Sequence, residues 1–172
     1  AGKPRLKGML CPLVAFCLPW VLFFDVLNGW WRWDDPMLMD YVLAHDTWSP
    51  LFVPSVWREL TAYNFTPLVF LSLKTDYVLF GLQPMWFYVH QLLAFSGVCL
   101  ATYMLLRRWC PTRWSLFGVF LLCLGAVSLT VANQLMTRHY LEGLFFFVLA
   151  ILCHFRFLDT AKTRWIWAGG LA

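Results

Sequence analysis

The stretch Pro84-Met85-Trp86-Phe87-Tyr88-Val89-His90-Gln91-Leu92-Leu93-Ala94-Phe95-Ser96-Gly97-Val98-Cys99-Leu100-Ala101-Thr102-Tyr103-Met104-Leu105-Leu106 contains no Asp, Glu, Lys or Arg. As a helix it rises more than ~30 Å, enough to cross the hydrocarbon of a bilayer, and a helix satisfies its own backbone polar groups there. Three further stretches, 9–31, 114–133 and 140–158, meet the same criterion, which predicts about four crossings. The composition agrees: 61% of the 172 residues are hydrophobic and only 13% are charged, against about 25% charged in an ordinary soluble domain. Too little polar surface remains to cover a soluble enzyme, and a net charge of +4 is too small to point to nucleic acid. The fold class read from this is an all-α polytopic integral membrane protein. A single membrane domain covers 1–172, with an outer loop, 32–83, carrying one or two interfacial helices, and the lipid bilayer is its solvent.

Basic residues set the expected orientation. With the N-terminus in the cytoplasm, Lys3, Arg5, Lys7, Arg107, Arg108, Arg113, Arg156, Lys162 and Arg164 all lie inside. Arg32, Arg58, Lys74 and Arg138 then lie outside, and loop 32–83 faces the outer or lumenal side. The basic start resembles that of a signal sequence, but the apolar run continues without a small-residue cleavage site and is expected to stay as an anchor. No Met opens the chain and it ends at Ala168-Gly169-Gly170-Leu171-Ala172, so truncation, at the C-terminus above all, is expected. The six cysteines fall almost entirely in apolar runs without a C-x-x-C pair and read as small buried hydrophobes. Ala94, Gly97 and Ala101 form one stripe of small residues, and Gly118, Gly125 and Ala132 another, suited to close helix packing.

The outer loop holds most of the chemistry. Asp34, Asp35, Asp40, Asp46, Glu59 and Asp76 face only Arg32, Arg58 and Lys74. Asp34-Asp35-Pro36 reads as the start of a short surface helix through about 43. Segment 67–82 is interrupted by Lys74 and Asp76 and reads as re-entrant or interfacial. Trp30, Trp31, Trp33, Trp48, Trp57 and Trp86 suit rings resting at the headgroup level.

Asp34 and Asp35 are the candidate catalytic pair. A carboxylate shielded at a membrane surface accepts a proton from a substrate hydroxyl, or with a neighbour holds a divalent cation near a phosphate; equally, Asp34 serves as a helix cap. Arg138 is a candidate phosphate contact on the same side, or an ordinary ion pair with Glu142 at i+4. No metal site is assigned: Asp40, His45 and Asp46 lie close in sequence, but Asp46-Thr47 before Ser49-Pro50 also reads as turn chemistry. Asp25, in the outer third of the first span, needs a partner, a proton or a wet cavity. His90 and His154 read as interior histidines, with haem or pigment ligation the weaker alternative. Asn64-Phe65-Thr66 matches a glycosylation acceptor, disfavoured by Pro67.

The order of these features resembles the N-terminal part of the C-type membrane glycosyltransferases. One span and an outer loop opening with Asp34-Asp35 are followed by Tyr63-Asn64-Phe65-Thr66-Pro67-Leu68, Tyr77-Val78-Leu79-Phe80-Gly81-Leu82-Gln83-Pro84 and Phe87-Tyr88-Val89-His90-Gln91. The branch it most resembles is that of the protein O-mannosyltransferases and the tetratricopeptide-linked transmembrane mannosyltransferases. Thr137-Arg138-His139-Tyr140-Leu141-Glu142-Gly143 is similar to the same family's fourth-span start, and the resemblance covers about 9–158. It implies a polyprenyl-phosphate-linked sugar as donor, inversion at the sugar carbon, and Asp34 or Asp35 in the place of the catalytic acid. Some relatives use a divalent metal, so the cofactor is left open. Family members have many more spans and a C-terminal soluble domain. The chain is therefore expected to be a fragment of such a transferase, or a shortened relative acting as a non-catalytic accessory subunit beside other membrane subunits.

Overall fold

The computed structural model describes residues 6–60 and 66–171, and every regular element among them is a helix. Lys3, Arg5 and Tyr63-Asn64-Phe65, with its acceptor asparagine, lie outside the described residues. The first apolar run forms α1, Leu6–Leu22, and ends well before residue 31. Beyond it the chain tightens into a 3₁₀ helix, Phe24–Asn28, that exposes Asp25 to the outside. Asp25, expected in the outer third of the first span, follows the end of α1.

The loop 32–83 folds into α2 (Asp35–Ala44), α3 (Ser49–Phe52), α4 (Pro54–Leu60) and α5 (Pro67–Phe80). Proline at the first or second helical position opens α2, α3 and α5, where its missing N–H costs nothing and its fixed φ favours the helix. Gly81 ends α5 at φ 64°, a left-handed conformation that side chains with a Cβ resist. The helix expected from Asp34-Asp35-Pro36 is present as α2.

Two helices are long and apolar enough to cross a membrane, α6 (Pro84–Leu106) and the helix that becomes α9 (Arg138–Thr160) after a 3₁₀ turn at Leu135–Thr137. The expected span 114–133 is broken into α7 (Thr112–Leu124) and α8 (Ala126–Asn133), bent by 63°. At the break Gly125 is extended, and the Leu122 carbonyl accepts both the Gly125 N–H at 3.3 Å and the Ser128 hydroxyl. Two crossings, or three with the bent pair as one, thus pass on length and composition, while α1 is apolar over a shorter length. A last helix, α10 (Arg164–Gly170), packs on α9.

Helix α6 is the centre of the bundle, packing against α1, α7 and α9. Its Phe87, Tyr88, Leu92, Phe95, Val98 and Cys99 are buried, and Phe95 stacks on Phe23 with centroids 5.6 Å apart. The small-residue stripe works at Gly97, where an added Cβ meets the Phe145 ring of α9 at 3.0 Å. Gly97→Val is expected to cost about 1–3 kcal/mol through overpacking, whereas Gly143→Val, with nothing within 4 Å of its added Cβ, stays within about 0.5 kcal/mol. Thermal unfolding of both variants in one detergent checks the contrast.

Candidate active site

The two adjacent acids take opposite environments. Trp33 adopts a left-handed conformation, φ 52°, and the turn it makes is closed by the Asp35 N–H donating to the Arg32 carbonyl at 2.9 Å. This turn sends the Asp35 side chain inward, 1% exposed, while Asp34 stays at the surface. Asp34 occupies the residue before α2 but makes no side-chain cap bond; only its carbonyl joins the helix, accepting from the Leu38 N–H at 3.0 Å. The capping role open to it in the sequence is therefore not used. Among the described residues its carboxylate has no hydrogen-bond or ionic partner.

Asp35 is fully engaged. Oδ2 accepts from the Arg32 N–H (3.1 Å) and the Tyr88 hydroxyl (3.1 Å), and Oδ1 from the N–H groups of Leu135 (3.0 Å) and Met136 (3.4 Å). Burial pushes its pKa up, and the bonds from Arg32, Tyr88, Met136 and Leu135 pull partly back. Arg32 reinforces the same junction: its guanidinium donates to the Asn133 side chain at the end of α8 and lies 5.7 Å from the Tyr88 ring centroid. The loop 32–83 is thereby tied to α6 and to the turn before α9, and Asp34 is exposed beside that knot.

Arg138 lies elsewhere and is enclosed. It is 0% exposed; Nε donates to Gln91 Oε1 (3.0 Å), Nη2 to the Phe87 carbonyl (2.8 Å), and Nη1 to Ser72 Oγ (3.1 Å) and Asp76 Oδ2 (2.5 Å). The expected phosphate contact is corrected, because a guanidinium with no accessible surface and a buried carboxylate partner offers no donor to a ligand. The expected pairing with Glu142 is also replaced: Glu142 accepts from the Ser72 hydroxyl, and Asp76 is the acid that meets Arg138. Asp76, 2% exposed, also holds His90 Nδ1 at 2.7 Å. Its importance was signalled in the sequence only by an acid standing inside an otherwise apolar segment.

The remaining candidates separate. Asp40 is exposed, His45 Nε2 pairs with Glu59 at 3.2 Å, and Asp46 Oδ1 accepts from the Trp48 and Ser49 N–H groups, the turn chemistry expected of it. His154 is exposed near the far end of α9. Among the described residues no three of His, Cys, Asp and Glu converge as a metal-binding group.

No protein-family model matches the chain, and no solved structure matches it. The sequence is 22% identical over 171 residues to the protein O-mannosyl-transferase tmtc2 of Xenopus laevis, an alignment covering 92% of this chain. The chain spans 20% of the length of that relative, so the likeness is to one part of a larger mannosyltransferase.

Proposed function

We infer that this chain forms the outer-loop part of a membrane sugar transferase, with Asp34 as the base that activates the acceptor. The observation that carries the reading is the division of labour between neighbouring acids: Asp35 is consumed in holding the loop, and Asp34 is left exposed beside it, without a partner among the described residues. The similarity to an O-mannosyl-transferase supports the same chemistry. In this reading the N-terminus is cytoplasmic, loop 32–83 faces the outer or lumenal side, and the donor is a polyprenyl-phosphate-linked sugar.

The acceptor hydroxyl gives its proton to the Asp34 carboxylate as its oxygen attacks the anomeric carbon. The bond from that carbon to the phosphate oxygen breaks on the opposite face, inverting the centre and releasing polyprenyl phosphate. Arg32, in the same turn, supplies positive charge for the departing phosphate, the part for which Arg138 is too deeply enclosed.

The test is Asp34→Asn in the complete gene product, assayed for sugar transfer from polyprenyl-phosphate donor. The expected result is a rate lower by about 10²–10⁴-fold with the unfolding midpoint unchanged. A wild-type rate overturns the assignment and favours the accessory-subunit reading. That second reading draws on α9, where only 11% of the apolar window is buried against 44% in α6, leaving a broad face for lipid or a partner helix.

A further inference from the structure

A groove of about 680 Å³ opens between the start of α5 and the first turns of α9. Its walls are mostly apolar, among them Pro67, Leu68, Gly143 and Phe146; its polar lining residues are Thr66, His139 and Glu142, the last two on α9. The volume falls within the ~300–1,000 Å³ typical of small-ligand sites.

Both polar groups on α9 present acceptors. The Glu142 carboxylate takes the Ser72 hydroxyl on Oε1 at 2.5 Å, and among the described residues it has no other hydrogen-bond partner. Arg138, which donates to the same Ser72, is in direct ion contact with Asp76 and not with Glu142. The charge of Glu142 is therefore without a direct cationic partner among the described residues, although the N-terminal end of α9 favours it electrostatically. His139 Nδ1 meets the Met136 carbonyl at 2.9 Å, a contact that requires the proton on Nδ1 and leaves a lone pair on Nε2. Positions 139 and 142, three apart on one helix, share a face.

We propose that this groove binds a membrane lipid with a primary-amine headgroup. Its ammonium carries three N–H donors and one positive charge, enough to reach both acceptors and to neutralise Glu142. Its hydrocarbon chain lies along Pro67, Leu68 and Phe146. The start of α9 is at headgroup level when α9 spans the bilayer, and the largely unburied α9 leaves the groove open to lipid from the side.

The experiment is native mass spectrometry of the full chain in detergent, titrated with phosphatidylethanolamine, phosphatidylcholine and phosphatidylglycerol of identical acyl chains. The expected order places phosphatidylethanolamine at least about tenfold tighter than phosphatidylcholine, which keeps the charge without N–H donors, and than phosphatidylglycerol, which has hydroxyl donors without the cation. Glu142→Gln is expected to abolish this preference. Gly143→Phe tests the groove without touching the polar groups: a Cβ there meets nothing within 4 Å, so the ring enters the groove and reduces binding of all three lipids. Equal binding of the three lipids by the wild-type chain, or undiminished phosphatidylethanolamine binding by Gly143→Phe, overturns the proposal.

Discussion

Arg138→Met is expected to lower the unfolding free energy by about 3–5 kcal/mol, the loss typical of removing one member of a buried ion pair. Asp76 then remains 2% exposed without its guanidinium, while the Gln91 Oε1 and Phe87 carbonyl acceptors lose their donors. Exposed ion pairs contribute only about 0–1 kcal/mol, so the size of the effect separates an enclosed Arg138 from one available at a surface. The double variant Arg138→Met with Asp76→Leu removes both charges and is expected to recover part of the loss, since the expensive species is the buried carboxylate left with His90 as its remaining partner. Equilibrium unfolding of the three proteins in one detergent decides it. A single variant within about 0.5 kcal/mol of wild type excludes the enclosed geometry.

The second large effect is expected at Asp35. Alanine there strands the N–H groups of Arg32 and Leu135 and the weaker contact from Met136, and frees the Tyr88 hydroxyl. Buried donors without acceptors cost about 1–3 kcal/mol each, so a loss of about 3–4 kcal/mol is expected. Asparagine keeps an oxygen for Leu135 but turns an amide donor toward the Arg32 N–H, and costs about 1–2 kcal/mol. The pH dependence has a definite sign. Burial raises the folded-state pKa of Asp35, so its contribution to stability is full below the ordinary aspartate range and is lost as pH rises through the raised folded value. Asp35→Asn is expected to remove that downward step with rising pH, measurable as flattening of the unfolding midpoint against pH. Asp34→Asn leaves the step in place.

How much of this is legible in the sequence depends on whether the cause is local. The apolar runs of α6 and α9 are read directly, because span length is a property of consecutive residues. The break in the third run is not, since Gly125 belongs to a stripe with the spacing of packing glycines and only the Ser128 hydroxyl bond to Leu122 shows it as a bend. Asp34 and Asp35 are chemically alike in the sequence, and what distinguishes them is a pair of N–H groups about a hundred residues further on. Arg138 misleads for the same reason. Glu142 offers a nearby partner at helical spacing, while the true partner, Asp76, is 62 residues earlier on α5. Local patterning therefore yields the class and the two long apolar helices α6 and α9, and long-range polar contacts decide which charged residues remain available for chemistry.

The clasp between Asp35 and the turn at Leu135–Thr137 also imposes an order of events during synthesis. The two halves are separated by 100 residues, which at ~5–20 residues per second is about 5–20 s of translation. Throughout that interval the loop 32–83 has already been made while its Asp35 carboxylate still lacks the N–H groups that close around it. Asp34 acquires its final setting only when the start of α9 arrives, so the chain holds its proposed base in reserve until the bundle behind it is nearly complete.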